Sequence, residues 1–506
     1  MPDQRHQLAA IMFTDMKNPI FYFSILIFLS IQHVNSQIIP EQRRITWKPG
    51  IPEGPHQVSA SVENVVNYGA DPTGKTDSHD AFALAIDKLP LTGGVVYVPE
   101  GTYLLNSTLS INKSHVVLRG AGITTARLLS NVSGVSINVE SDTEGNWQKI
   151  TGGHSLGSFQ IEVENGSDFT KGSFIEIQQK NDSAIMYTKN TWIQRWAENS
   201  VGQLLEIAEV NSNKLTLKTS LHHTFSKDLN PVVRPVNMVK NVGIENLYIQ
   251  KLIPANHTIS FNHTAYCWIK HVESYMTMRS HVRISASIGH EITECFFHNS
   301  YNYGGGGHGY GVECAHHASD VLVENNVFDS LRHAMMVQTG ANGNVFAYNY
   351  STNPVQGEPG SVLNSGWVPP DISVHGHYPF MNLFEGNDVM EIGISDYWGP
   401  AGPGNTYLRN KVNGDGILCY DHSHEQNLLG NYTTALINTD KTCLRLLEHG
   451  NIINGEILWD DEIQEHTIPA SCYLDTAPAF FKGYDWPPFG PDAEKGNKLP
   501  AQKRYE

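Results

Sequence analysis

The chain has 506 residues, 17% charged and 40% hydrophobic, enough apolar content for two or three ordinary domains or one long one. Its net charge of −17, with no run of Lys or Arg, argues against nucleic acid and anionic membrane as partners, while an anionic substrate held by a few local arginines stays open. Forty-four glycines and 25 prolines favour turn-rich β structure over helical bundles.

Lys17 is followed by PIFYFSILIFLSI, residues 19–31, and then by QHVNSQ. A basic start, a short apolar run and small residues Val34 and Ser36 before a cleavage point predict a signal peptide over 1–36, with Met16 making residues 1–15 a candidate start-site artefact. The run is too short to cross a membrane, and no lipidated cysteine follows it. The expected product is secreted or periplasmic, soluble, not inserted in a membrane, and monomeric. Nine N-x-S/T sequons, Asn106 and Asn256 among them, mean glycosylation only in a eukaryotic source.

Residues 37–154 are read as an N-terminal cap and the first coils of a solenoid. VENVVNYGADPTGKTDSHDAFALAIDKLPLTGGVVYVPEGTYLL, residues 62–105, has the pattern strand, turn, helix, turn, strand, the helix backed by Phe82, Ala85, Ile86 and Leu89 at helical spacing. Within it GADPTGKT satisfies the P-loop expression, but no strand ending in Asp follows at a useful distance. Residues 155–235 read as a small β insertion: FIEIQQ and QLLEIAEVNSNKLTLKTSL alternate like strands about an Asn-Ser-Asn turn. The insertion also holds Tyr187, Trp192, Arg195 and Trp196 close together, either a sugar-binding wall or the packing of the insertion onto the coils.

From 236 to 460 a short phrase returns: apolar residues, an asparagine, more apolar residues. Taking Asn246, His271, Cys295, Asn326, Asn349, Asn387, Asn410, Asn431 and Asn451 as equivalent, the spacings are 25, 24, 31, 23, 38, 23, 21 and 20. Short strands repeating every 20 to 25 residues indicate a parallel β-helix, with turn asparagines hydrogen-bonded along the stack. The two oversized spacings predict loops at 299–320 and 354–380 on one face, and residues 461–506 a C-terminal capping segment. The six cysteines show no C-x-x-C pair; buried thiols are the plain reading and one or two disulfides the alternative, with no connectivity legible.

These segments carry a family resemblance. Residues 62–105 with HVVLRGAG, then NVGIENLYI, GGGGHGYGVE, LRHAMMVQTGANGNVFAYN, HGHYPFMNLFEGN and DYWGPAGPGNTYLRN, resemble the pectate-lyase-like right-handed parallel β-helix superfamily, and in particular secreted bacterial β-helix proteins, over residues 45–490. The resemblance implies the fold and transfers no catalytic residue.

The first long loop, GGGGHGYGVECAHH, matches G-x-G-x-x-G, but the residues after it read as coil and strand, not the helix a dinucleotide site needs. A transition metal would draw on His308, Cys314, His316, His317, His375, His377, Asp421, His422 and His424; calcium, bound by Asp and carbonyl oxygens, is the other metal reading and the one cofactor left open. The preferred reading is catalysis on a polysaccharide lying in a groove along the coils. His308, Glu313, Arg332, His333, Asp371, His375 and Asp396 are the catalytic candidates; Tyr310, His377, Tyr397, Trp398, Arg409, Trp192 and Trp196 are the substrate-binding ones. A lyase needs a cation for a uronate carboxylate, here Arg332, with histidine as base or acid, although strand alternation sets Arg332 and His333 on opposite faces. A glycoside hydrolase needs two carboxyls, from Glu313, Asp371, Glu385 and Asp396. The lyase is preferred over the hydrolase, and a non-catalytic glycan-binding β-helix is the third reading.

Overall fold

A computed structural model describes residues 38–56, 61–141, 144–187, 189–355 and 369–506. The expected leader and residues 356–368 of the second long loop lie outside the described residues. The chain divides into Met1–Pro40 and a body, Glu41–Glu506.

The body is a parallel β-helix. Its rungs stack side chain on like side chain: Val282, Val312, Met335, Ile372, Ile392, Ile417 and Ile437 are register partners on seven successive strands and point inward. Alternation on each strand sends the next residue outward, so one face of every rung feeds the core and the other the surface. Aromatic stacks extend the pattern, as in Phe346 on Phe384 and Phe384 on Tyr407, with centroids 5.4 and 5.3 Å apart. Fully burying such a side chain contributes about 1.5–3 kcal/mol, and a solenoid collects that term at every rung.

Asparagine ladders tie the turns. Asn326, Asn349, Asn387, Asn410, Asn431 and Asn451 are buried, and each Nδ2 donates to the next Oδ1 at 2.9–3.0 Å. Asn246 and His271 are not on this ladder. Register pairs Leu247 with Val272, and Glu273 with Phe296, so the ladder position below Cys295 is Val272, then Leu247. Asn246 and His271 sit one residue earlier, at a corner where Glu294, Asn325, Tyr348, Gly386, Arg409, Gly430 and Gly450 also have φ between +53° and +66°. Left-handed corners favour Asn and Gly, so a corner asparagine and a ladder asparagine look alike in sequence. A second ladder, Asn344 to Asn382 to Asn405 to Gln426, closes another corner of the same coils at 2.9–3.1 Å.

The insertion closes into a six-stranded antiparallel barrel from Gln148 to Val236. Its hairpin Gly202–Asn211 and Lys214–Leu217 turns through Ser212 at φ +54°. The barrel is seated on two coils: Glu176 meets His317 at 2.7 Å, His222 meets Asn342 at 2.8 Å, and Asn342 Nδ2 donates to the Gly202 carbonyl. The helix His79–Lys88 buries Ala81, Phe82, Ala85 and Ile86, and Lys113 Nζ donates to three carbonyls at its C-terminal end, where the backbone dipole favours a cation. The C-terminal residues 468–504 run back beside the left-handed corner, engaging Arg409, Glu385, Tyr348 and Asn325 in turn.

Candidate active site

Strands Ser280–Ser285, Tyr310–Ala315, His333–Val337, Ile372–Val374 and Asp388–Ile394 form the floor of a cleft of about 960 Å³. Register places Arg283, Glu313, Met336, Ser373 and Gly393 in one outward row, of which all but Met336 line the cleft. One wall is glycine 305–307 with Arg332; the other is Asp396, Tyr397 and Trp398, joined by Trp196 from the barrel insertion. Trp196 meets Trp398 edge-on at 5.8 Å, and Tyr397 is 64% exposed, so flat apolar surfaces face a polar floor. The volume falls in the usual range of ligand clefts.

The acidic floor residues are held in different states. Glu313 is buried, yet its carboxyl is pulled down to about 2: burial opposes ionisation, but Arg283 at 3.3 Å outweighs it with help from the nearby His257 and a hydrogen bond from the Ser280 hydroxyl. Gln338 also donates to it at 2.7 Å. Glu391 goes the other way, up to about 8, because burial is joined by repulsion from Asp415 and Asp371; its Oε1 has no hydrogen-bond partner. At neutral pH the first is an anion and the second chiefly an acid.

Tyr310 and His333 are register partners on adjacent strands, their ring centroids 5.2 Å apart. His333 Nδ1 lies 2.8 Å from the Pro370 carbonyl, which can only accept, so the neutral ring has its basic lone pair on Nε2. Burial, reinforced by Arg332, holds this imidazole well below its ordinary pKa, and burial raises the Tyr310 phenol. Arg332 precedes the strand that His333 begins, so alternation does not separate them and both line the cleft. Its Nη1 donates to the Gly304 carbonyl at 2.7 Å, which fixes the glycine loop against it. On the opposite wall His375 Nε2 meets Asp396 Oδ2 at 3.0 Å, leaving the buried Nδ1 without a partner. Asp396 Oδ1 accepts from the Gly376 and Trp398 amides, so this carboxylate also shapes the turn.

Glu313, Arg332, His333, His375, Asp396, Tyr310, Tyr397, Trp398 and Trp196 thus meet in one cleft. The other expected residues do not line it. His308 faces a neighbouring depression with His257, Asn256 and Met278, connected to the cleft through Arg279 and Arg283. Asp371 is buried against Ser351 and the Met390 and Glu391 amides, bracing a strand. Glu385 lies under the C-terminal segment, bonded to Tyr348 and the Cys472 amide. His377 and Trp192 are buried in the wall, where His377 Nε2 donates to the Trp192 carbonyl and Trp192 Nε1 to that of Tyr397. Arg409 is 1% exposed and spends its guanidinium on Asp492 and the carbonyls of Ile468, Pro469 and Phe489. Among the described residues no three His, Cys, Asp or Glu side chains converge as a metal site requires; Cys314 points into the core and His317 is tied to Glu176.

Glu391, Arg279, Arg283, His316, Tyr420, Asp421 and Asp440 also line the cleft, although nothing in their local sequence marks them for it as catalytic or substrate-binding. For Glu391 and Arg283 strand alternation is a signal: counting back from the inward Ile392 and Ile394 turns Glu391 outward, and Arg283 stands between the inward Val282 and Ile284.

Residues 62–152 match the family model described as rhamnogalacturonase A/epimerase, pectate lyase-like. The chain is 24% identical over 229 residues to a capsule K1-specific depolymerase of Klebsiella phage K64-1, covering 42% of this chain and 22% of that protein. The gp54 tailspike of Acinetobacter baumannii bacteriophage AP22, solved in complex with a capsular saccharide of A. baumannii, superposes with a TM-score of 0.58 at 12% identity, covering 78% of this chain and 64% of that one. The tailspike gp49 of Pseudomonas phage LKA1 gives 0.56 at 15% identity, covering 74% and 64%. At these identities the structural likeness is one of fold. The chain spans about a fifth of the curated relative and about two thirds of the two tailspikes. The fold is that of a parallel β-helix, and the likeness to a pectate lyase-like family covers residues 62–152.

Proposed function

We propose that the cleft depolymerises an acidic polysaccharide by β-elimination, with reaction at the Tyr310–His333–Arg332 group. The observation that carries this reading is the register pairing of Tyr310 with His333 beside an arginine on the rim of one cleft. The Arg332 guanidinium neutralises the uronate carboxylate and so acidifies the neighbouring C–H. His333 Nε2 takes that proton; the incoming carboxylate raises the proton affinity of the imidazole that burial has depressed. Tyr310, whose phenol stays protonated, gives its proton to the departing glycosidic oxygen. Trp196, Tyr397 and Trp398 offer ring faces to the sugars on either side. The capsule-specific relative and the saccharide-bound tailspike support a glycan as substrate.

Hydrolysis is the second reading, and Glu391 favours it: a carboxyl raised to about 8 in a cleft is suited to protonating a leaving oxygen. Its partner would come from Asp396, Asp421 or Asp440, which line the same cleft. Glu313 sits three coils away along the register, about 14 Å at a strand spacing of about 4.8 Å, beyond the reach of a hydrolase pair.

Incubation with a panel of acidic capsular polysaccharides tests the assignment. Elimination gives new reducing ends together with the ultraviolet absorbance of a conjugated double bond; reducing ends alone mean hydrolysis. Binding with neither product would overturn both and leave a glycan-binding β-helix.

A further inference from the structure

The six cysteines are present as thiols, and two of them touch. Cys419 Sγ donates to Cys443 Sγ across 3.4 Å, and no other thiol pair is hydrogen-bonded among the described residues. They stand on successive coils. Cys419 ends the strand Lys411–Cys419, where it is the register partner of Thr439, and Cys443 lies in the turn beyond that partner, its amide donating to the Asp440 carbonyl at 2.8 Å. Cys419 is wholly buried, whereas Cys443 is 9% exposed and flanked by the exposed Lys441 and Leu444. Both thiols are thus buried, Cys443 the less completely of the two.

We infer that Cys419 and Cys443 are a modification site, closing under oxidising conditions to an intrachain disulfide that fastens one coil to the next behind the cleft. Bringing two sulfurs from 3.4 Å to a bond of about 2.05 Å takes an approach of about 1.4 Å in total. The hydrogen bond from Cys419 sets the order of events. By stabilising negative charge on Cys443 it lowers that thiol, while Cys419 keeps its proton. Cys443 as thiolate attacks one sulfur of oxidised glutathione and expels glutathione thiolate, which takes up a proton. Cys419 then loses its proton, attacks Cys443 Sγ of the mixed disulfide and expels the second glutathione. Two protein thiols are oxidised and one glutathione disulfide is reduced to two thiols, so the electrons balance.

The bond matters for the cleft because of its neighbours. Tyr420 and Asp421 follow Cys419 directly and Asp440 precedes Cys443 by three residues; all three line the cleft, and the His422 amide already bonds Thr442 Oγ1 between them. The disulfide therefore ties together the two turns that bring these three residues to the cleft.

Full-length protein exposed to oxidised glutathione, then alkylated and digested without reductant, is expected to yield one cross-linked peptide joining Cys419 to Cys443. Titratable thiols in denaturant should fall from six to four. The melting temperature should rise by about 3 °C, as expected for tying a loop of this length in a body of this size, and the rise should vanish on adding dithiothreitol. Cys443→Ser should show no rise and no cross-linked peptide. Six thiols surviving oxidation, a stable glutathione adduct on Cys443, or a cross-link between other cysteines would each overturn the inference, and the wild-type peptide map decides even if the variant fails to fold.

Discussion

Asn387 donates to the Asn410 side chain and the Phe346 carbonyl and accepts from both the amide and the side chain of Asn349, all in the interior. Asn387→Ala strands several buried polar groups at once, so a loss of about 3 kcal/mol is expected in urea unfolding, several times that of an exposed Asn→Ala change. The recurring asparagines are legible in the sequence as a structural feature, but not which of two adjacent columns each occupies: Asn325 and Asn326 stand side by side, one at a left-handed corner and one on the ladder. Arg409 teaches the same lesson for the site. An arginine in a turn suggests a substrate contact, whereas the C-terminal segment folds over it; Arg409→Ala is expected to lower stability by about 3 kcal/mol without altering ligand affinity of the protein that remains folded. In the cleft, Tyr310→Phe removes one hydroxyl from a packed ring, and kcat is expected to fall about 10²- to 10⁴-fold with KM nearly constant. A wild-type rate in that variant would remove Tyr310 as proton donor and move attention to Glu391.

The rungs themselves are predictable because alternation and a 20- to 25-residue period are written along one strand of text. The cleft is less so. Its floor comes from five strands separated by whole coils, and its walls from a barrel and two turns, so nearness in space is decided by how the insertion docks. Trp192 and Trp196 lie four residues apart in the short segment between barrel strands, yet one is wholly buried and the other 42% exposed beside Trp398. Trp196→Ala is expected to weaken oligosaccharide binding about tenfold, ~1.4 kcal/mol, with the melting temperature unchanged; equal loss in Trp192→Ala would come instead through unfolding of the wall. His308 stands out in the sequence for its glycine neighbours, but those glycines turn their backbone to the cleft and the imidazole to the next depression.

Over the whole body, buried ionisable groups couple stability to pH in opposite directions. Glu391 is raised from an ordinary 4.5 to about 8, so the folded state holds a proton that the unfolded chain gives up above about 4.5. Its contribution is full below that pH and declines as pH rises towards 8. Glu313, lowered to about 2, stabilises above 4.5 and loses its effect as pH falls towards 2. Glu391→Gln is therefore expected to flatten the decline in urea midpoint between pH 5 and pH 8, leaving the acid limb in place; an unchanged slope would show that Glu391 ionises normally.

The register that carries Arg283, Glu313, Met336, Ser373 and Gly393 in single file also sets a ruler. Successive marks are about 4.8 Å apart, and at every mark but that of Met336 the outward residue lines the cleft. The lining of the cleft can then be altered one mark at a time, by exchanging a single outward residue while the inward ones beside it, and with them the stack, are left alone.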